Sequence, residues 1–173
     1  MGAEGSERKL IREAQRGSGE ALAALYARHW PRAQRAAYLV VHDAAAAEDI
    51  AQEAFLAAVD GLDRFDRRRP FAPWLHRIVL NRAIDWGRRE ALRAGAGDPG
   101  ERPAPSHSDE PPGELMPALA QLPPEQRAVV VLRYLLEYTP GEIGRMLELP
   151  RGTVNSRLRR GLDRLAELLE EER

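Results

Sequence analysis

Apolar residues recur along this chain at intervals of three and four, the spacing that places them on one face of an α-helix. In the first half of the chain, no stretch of any length alternates apolar and polar residues as a half-buried β-strand does. The pattern predicts four helices in the first half, at about residues 6–16, 18–41, 44–60 and 70–93. Three or four shorter helices follow. We therefore predict an all-α fold.

The third predicted helix has the clearest pattern. Asp43 precedes it as a candidate N-cap, and Glu48, Asp49, Gln52 and Glu53 share its polar side. No Lys or Arg occurs between residues 36 and 62. The helix is predicted to pack by its apolar stripe and to present an acidic surface to solvent or to a partner. That stripe consists of Ala47, Ile50, Ala51, Ala54, Phe55, Ala58, Val59 and Leu62.

The fourth predicted helix and the segment before it carry the opposite charge. Nine arginines but only three acidic residues lie between residues 64 and 93. A basic surface with an amide and an aromatic ring suits a nucleic-acid strand, because arginine binds phosphate and flat rings stack on unpaired bases. For Trp74, packing in the core is the competing interpretation. The candidate residues are Arg67, Arg68, Trp74, Arg77, Asn81, Asp85, Arg88 and Arg89.

A segment rich in proline and glycine separates two helical blocks. Residues 95–113 contain five prolines and no large apolar residue, so they can bury almost nothing and are predicted to form a flexible linker. The predicted domains are therefore residues 1–94 and 114–173. A disordered loop within a single domain is the alternative.

The second block ends in the pattern of a helix-turn-helix. Thr139 and Glu142 form a candidate capping box, Gly144 lies where two helices would cross, and residues 148–150 form a tight turn into a final helix. An ordinary helical hairpin with a solvated basic face is the alternative. The inner side of the final helix is predicted to hold Val154, Leu158, Leu162, Leu165 and Leu169. Its outer side offers Arg151, Thr153, Asn155, Ser156, Arg157 and Arg160 to a major groove.

Composition narrows the remaining function classes. The chain has no cysteine, which excludes disulfides and thiolate ligands, and its four histidines are scattered. We therefore expect no catalytic residue, no metal and no cofactor. No apolar run approaches the roughly 18 residues of a membrane span, and the first residues form no signal-peptide pattern. We expect a cytoplasmic protein without membrane insertion.

Three stretches of this chain resemble, in order, segments of a bacterial sigma factor of the extracytoplasmic function group, within the primary sigma factor family. Residues 47–65 (AEDIAQEAFLAAVDGLDRF) resemble the helix that docks on core RNA polymerase. Residues 71–89 (FAPWLHRIVLNRAIDWGRR) resemble the segment that melts and reads the minus-ten element. Residues 122–165, which include LEYTPGEIGRMLELPRGTVNSRLRRGL, resemble the fourth region with its minus-thirty-five helix-turn-helix.

The resemblance implies a transcription initiation factor that directs core RNA polymerase to promoters and carries out no covalent chemistry. It implies that the acidic face binds the clamp coiled coil of the largest polymerase subunit and that the flap region is a second contact. The basic faces would bind minus-ten and minus-thirty-five DNA, and a separate anti-sigma factor would control the chain. The main alternative is a stand-alone helix-turn-helix regulator. A more distant one is an anti-sigma or adaptor protein that binds polymerase but not DNA, and a nucleic-acid enzyme comes last.

Overall fold

The computed structural model describes residues 2–95 and 115–171, and within these ranges every regular element is helical. The predicted all-α fold is therefore confirmed. The N-terminal bundle contains α1 (Gly2–Gln15), α2 (Gly19–Val41), α3 (Ala44–Gly61), a 3-10 turn (Leu62–Arg64) and α4 (Phe71–Gly95). The C-terminal bundle contains α5 (Leu115–Gln121), α6 (Pro124–Tyr134), α7 (Pro140–Leu147) and α8 (Arg151–Glu171).

The predicted linker lies outside the described residues, except that Gly95 is the last residue of α4. The predicted limits of the first four helices agree with the structure to within a few residues. Within the ranges given above, no helix is both long and apolar enough to cross a membrane.

Helix α3 begins where its cap predicts. The amide of Ala46 donates to Oδ1 of Asp43 at 2.8 Å. The predicted stripe is buried with one exception, since Val59 is 40% exposed. Val59 lies about 100° around the helix from its buried neighbour Ala58, so a stripe that follows the helical repeat leaves Val59 at the edge.

Helix α8 packs by a stripe that differs slightly from the predicted one. Gly161 is buried, whereas the predicted Leu162 is 38% exposed. The reason is a close approach of two helices, because a Cβ atom on Gly161 would lie 3.2 Å from Cγ2 of Val130 on α6. The stripe consists of Val154, Leu158, Gly161, Leu165 and Leu168.

The two bundles are in direct contact. Helices α5 and α6 pack on α2, and α6 and α7 pack on α4. The contact covers the end of α2, where residues 36–41 are all buried. Buried Arg127 of α6 donates to the carbonyl oxygen of Val40 on α2 and to those of Ala120 and Leu122 beside its own helix. One continuous apolar core therefore runs from one bundle into the other.

Candidate nucleic-acid and partner interfaces

The acidic face of α3 lies on the surface. Glu48, Asp49, Gln52 and Glu53 are all exposed, as the polar side of the helix predicts. The Gln52 amide donates to Oε1 of Glu48 at 3.2 Å, and a carboxylate oxygen of Glu53 lies 3.6 Å from the guanidinium of Arg82 on α4. The negative face is thus continuous along α3 and meets the positive charge of α4 at its edge.

An apolar groove lies beside this acidic face, and it was not predicted from the sequence. Tyr26 on α2 and Leu56 and Val59 on α3 line the groove and are 40%, 66% and 40% exposed. Its volume is about 530 Å³, and Gln52 lies on its rim. Leu56 was a usable signal, because it is a large apolar residue outside the buried stripe. A partner that contacts the acidic face would also meet this groove.

The basic face of α4 is only partly free. Asn81, Asp85 and Arg89 are exposed, whereas Arg77 and Arg88 form ion pairs with the C-terminal bundle. Arg77 pairs with Glu148, and Nε of Arg88 donates to Oε1 of Glu125 at 2.6 Å. Arg88 also lies 3.6 Å from Asp85 on its own helix. The structure thus keeps the predicted residues together on one side of α4, two of them engaged with acidic partners.

The loop before α4 is exposed at Arg67 and Arg68. The backbone N–H of Arg68 donates to Oδ1 of Asp66 at 3.0 Å, and its guanidinium donates to the same atom at 3.2 Å. The backbone hydrogen bond is the main cause that lowers the pKa of Asp66. The loop therefore presents two exposed guanidinium groups, of which that of Arg68 is held by a local turn.

Trp74 lies inside an aromatic cluster. Its ring is 4.7 Å from that of Phe65 and 5.6 Å from that of Phe71, centroid to centroid. Its edge covers Gly61, where a Cβ atom would lie 3.2 Å from Cζ2 of the indole. The side chain is half-buried, so it packs the start of α4 against the end of α3. Packing thus accounts for most of its surface.

The helix-turn-helix has the local contacts that its sequence predicts. Thr139 Oγ1 accepts from the Glu142 amide at 3.3 Å, and the Glu142 carboxylate accepts from the Thr139 amide at 2.8 Å. A Cβ atom on Gly144 would lie 2.7 Å from the carbonyl oxygen of Leu149, so only glycine fits this turn. Glu148 ends α7 in the left-handed conformation, with φ of 56°. The capping box and the close approach are confirmed.

The outer face of α8 has the predicted surface. Arg151, Asn155 and Arg160 are exposed, whereas Thr153, Ser156 and Arg157 are half-buried. The hydroxyl of Ser156 donates to the Thr153 carbonyl at 3.0 Å, and the guanidinium of Arg160 donates to the Ser156 carbonyl at 3.3 Å. These residues form one cationic and polar surface that leads away from the turn, the arrangement with which a recognition helix enters a major groove.

Both bundles are similar to known protein families. The family described as "Sigma-70 region 2" matches residues 25–93, and "Sigma-70, region 4" matches residues 113–165. The extracytoplasmic function sigma factor SigW of Bacillus subtilis is 31% identical, over 94% of this chain and 96% of its own. CarQ of Myxococcus xanthus is 35% identical, over 90% of this chain and 92% of its own. These matches cover both bundles.

Two solved structures share the fold of this chain. CnrH, in complex with the cytosolic domain of CnrY, has a TM-score of 0.70 at 28% identity, over 96% of this chain and 99% of its own. RpoE of Bartonella quintana, in complex with the anti-sigma factor NepR, shares the fold, with a TM-score of 0.71 at 21% identity over 87% of this chain and 98% of its own.

The chain belongs to the extracytoplasmic function sigma factors. It is a transcription initiation factor that directs RNA polymerase to promoters. The matches support membership of the extracytoplasmic function group. They do not support the further prediction that this group lies within the primary sigma factor family.

Proposed function

We propose that the chain docks on core RNA polymerase through the acidic face of α3 and presents α4 and α8 to two separate promoter elements. The observation that carries this proposal is the exposed row of Glu48, Asp49, Gln52 and Glu53 beside an apolar groove. An interface with an apolar centre and a charged rim gains stability from the groove and specificity from the charges. The clamp coiled coil of the largest polymerase subunit is the partner that we assign to this face.

Helix α4 is the proposed minus-ten element reader. Its exposed Asn81, Asp85 and Arg89 lie beside Arg77 and Arg88, so amide, carboxylate and guanidinium groups are available on one side. Arginines hold the phosphates of a separated strand, while the shorter polar side chains contact base edges. Extruding a base costs a few kcal/mol, which a protein pocket must offset. We assign that capture to the loop with Arg67 and Arg68, whose two ends are Phe65 and Phe71, the rings that Trp74 contacts.

Helix α8 is the proposed minus-thirty-five reader. Arginine can contact guanine with two hydrogen bonds, and asparagine can do the same with adenine. Arg151, Asn155 and Arg160 are exposed for such contacts, and the half-buried Thr153 and Ser156 are placed for phosphate. Arg157 completes the surface. The C-terminal bundle is also where we place the contact with the flap region of polymerase.

The remaining assignments follow from this role. We propose that the chain performs no covalent chemistry and needs no cofactor, because binding and strand separation account for promoter opening and the polymerase supplies catalysis. We place the chain in the cytoplasm with its polymerase. RpoE of Bartonella quintana was solved with an anti-sigma factor, and we propose that a separate anti-sigma protein controls this chain in the same way.

Run-off transcription with purified core polymerase tests the proposal. A set of genomic promoters is transcribed with and without the chain, and we expect promoter-dependent transcripts only with it. Arg151→Ala with Arg160→Ala serves as the matched variant, because it leaves the acidic face intact and should lower initiation at the same promoters. A stand-alone regulator would instead bind specific duplex tightly without polymerase and yield no transcript, which would overturn the proposal.

A further inference from the structure

Gln15, the last residue of α1, holds the backbone at the start of the loop that carries Arg67 and Arg68. Its side-chain Nε2 donates to the carbonyl oxygen of Leu62 at 2.9 Å and to that of Phe65 at 3.1 Å. We propose that Gln15 is a positioning residue for capture of the minus-ten base, because it sets the orientation of the loop that we assign to that step. The inference rests on the proposed function of this loop, and Gln15 itself needs no contact with DNA.

The Gln15 amide acts on the peptide group that leads into the loop. A side-chain amide has two hydrogens to donate, so one residue can hold both carbonyl groups. Phe65 is extended, with φ of −70° and ψ of 126°, so the chain leaves the helical path at this point. The Phe65 carbonyl shares a planar peptide group with the amide nitrogen of Asp66. Fixing the carbonyl oxygen therefore fixes the plane from which the loop departs.

The loop is closed into a turn by its own hydrogen bonds. Asp66 Oδ1 accepts from the backbone N–H of Arg68 at 3.0 Å, and the Asp66 carbonyl accepts from the backbone N–H of Arg69 at 2.9 Å. A turn closed in this way moves as a unit. Rotation of the peptide group between Phe65 and Asp66 would therefore carry the guanidinium groups of Arg67 and Arg68 with it.

The aromatic cluster fixes the Phe65 side chain but not the direction of the Phe65 carbonyl. The ring lies 5.7 Å from that of Phe71 and 4.7 Å from that of Trp74, centroid to centroid. These contacts restrain the ring, whereas rotation about ψ turns the carbonyl without moving the side chain. Gln15 supplies the restraint that ring packing does not.

Helix α1 is a firm base for this contact. Ile11 is only 1% exposed, and the Glu7 carboxylate lies 2.8 Å from Nε2 of His29 on α2. Gly17, with φ of 90°, ends the helix in the left-handed conformation that is common just after a helix. The end of α1 that carries Gln15 is therefore held in place, and α1 packs directly on the 3-10 turn.

Abasic sites in promoter DNA test the proposal with the chain bound to core polymerase. A promoter that the wild-type holoenzyme transcribes is prepared with one abasic site at each position of the non-template minus-ten element in turn. Run-off transcription is then measured on each template. We expect one position at which removal of the base lowers initiation about tenfold, because the loop captures that base. This ratio is called the abasic cost.

Gln15→Met keeps the length of the side chain but removes both donors. If Gln15 orients the loop, this variant should reduce the abasic cost at the captured position from about tenfold to about twofold. Arg67→Ala with Arg68→Ala should reduce it in the same way. A contact that only stabilised the fold would lower initiation on all templates alike and leave the abasic cost unchanged.

Three controls accompany these variants. Gln15→Lys restores donors on a flexible side chain and should recover most of the abasic cost. Gln15→Met with Ser6→Lys adds the same charge at an exposed position about 14 Å away along α1, and it should not recover the cost. Gln34→Met makes the same change in a half-buried glutamine of α2 and should keep the wild-type cost.

The outcomes separate this inference from the proposed function. If the abasic cost falls in Gln15→Met and returns in Gln15→Lys, the positioning role is supported. If it falls in Arg67→Ala with Arg68→Ala but not in Gln15→Met, the inference is wrong and the loop keeps its proposed function. If no abasic site lowers initiation by the wild type, base capture fails and the role of Gln15 fails with it. An equal loss on every template in Gln15→Met also overturns the inference.

Discussion

The phenolic oxygen of Tyr138 lies 2.8 Å from Nδ1 of His76, and this hydrogen bond joins the C-terminal bundle to α4. The rings meet edge to face, and His76 is only 2% exposed. Burial, with Arg32 and His29 of α2 nearby, lowers the pKa of His76 to about 4, and burial raises the pKa of Tyr138 to about 12. Both rings are therefore neutral at physiological pH.

The free energy of unfolding is predicted to decrease as the pH decreases, because His76 is buried in its neutral form. The folded chain keeps this imidazole neutral down to a pKa of about 4, whereas the unfolded chain takes up a proton below its ordinary pKa of 6.5. The stabilisation is complete above pH 6.5 and is lost as the pH falls from there towards 4. Between pH 7.5 and 5.5 the loss of this stabilisation amounts to about 1 kcal/mol of unfolding free energy.

Urea unfolding of the wild type and of His76→Gln at both pH values measures this contribution. Glutamine can still hydrogen-bond to Tyr138 but has no proton to gain. We expect the loss between pH 7.5 and 5.5 to be about 1 kcal/mol smaller in the variant. His29 is also buried with a lowered pKa, and its share of the pH dependence remains in both proteins. Equal losses in the two proteins would exclude His76 as the source.

Removal of the charged side chain of Arg127 is predicted to destabilise the chain strongly. Its guanidinium donates to the carbonyl oxygens of Val40, Ala120 and Leu122, all of which lose a charged donor in Arg127→Leu. We expect this variant to lose about 3 kcal/mol of unfolding free energy. Arg164→Leu is the control, because the exposed pair of Arg164 with Glu167 should be worth less than about 1 kcal/mol. Similar losses in both variants would contradict the prediction.

Local features of the fold could be predicted from the sequence because they depend on neighbours in the chain. The cap at Asp43, the capping box of Thr139 with Glu142 and the limits of α3 each follow from residues within one or two turns. The acidic surface of α3 was predictable for the same reason. Where prediction was wrong, at Val59 and Leu162, a leucine or valine next to the buried stripe was counted as part of it.

The contact between the bundles could not be predicted in this way. It pairs residues such as Gly87 and Pro124, which are far apart in the chain and separated by a segment without an apolar pattern. One signal was present in α2, where residues 36–41 are apolar on all sides of the helix except for Tyr38 with its polar tip. A helix that is apolar all round must be covered on all sides. Which element covers it depends on the tertiary arrangement.

Gly144 is predicted to be essential for the helix-turn-helix. Its Cβ position is occupied by the Leu149 carbonyl, so Gly144→Ala must displace the turn that leads into α8. We expect a loss of about 2 kcal/mol in urea unfolding, the usual size of an overpacking effect. Gly141→Ala, on the same helix with nothing within 4 Å of its Cβ position, is expected to be neutral or slightly stabilising. Equal stability of the two variants would show that the turn adapts freely.

The acidic face of α3 is predicted to determine polymerase affinity. Asp49→Arg with Gln52→Ala reverses one charge and removes the amide on the rim of the apolar groove, and both side chains are exposed. Charge reversal at an interface costs affinity because like charges then face each other across it. We expect at least about a tenfold weaker complex with core polymerase, measured by fluorescence anisotropy of the labelled chain.

The control for this prediction is Glu170→Arg, which makes the same change in net charge on exposed α8. We expect it to leave polymerase affinity nearly unchanged, since a general charge effect would weaken both variants alike. Urea unfolding of both variants serves as a check on folding, because the substituted side chains are exposed and their replacement should leave stability nearly unchanged. If Asp49→Arg with Gln52→Ala binds polymerase as the wild type does, α3 is not the docking helix, and the apolar groove must serve another partner.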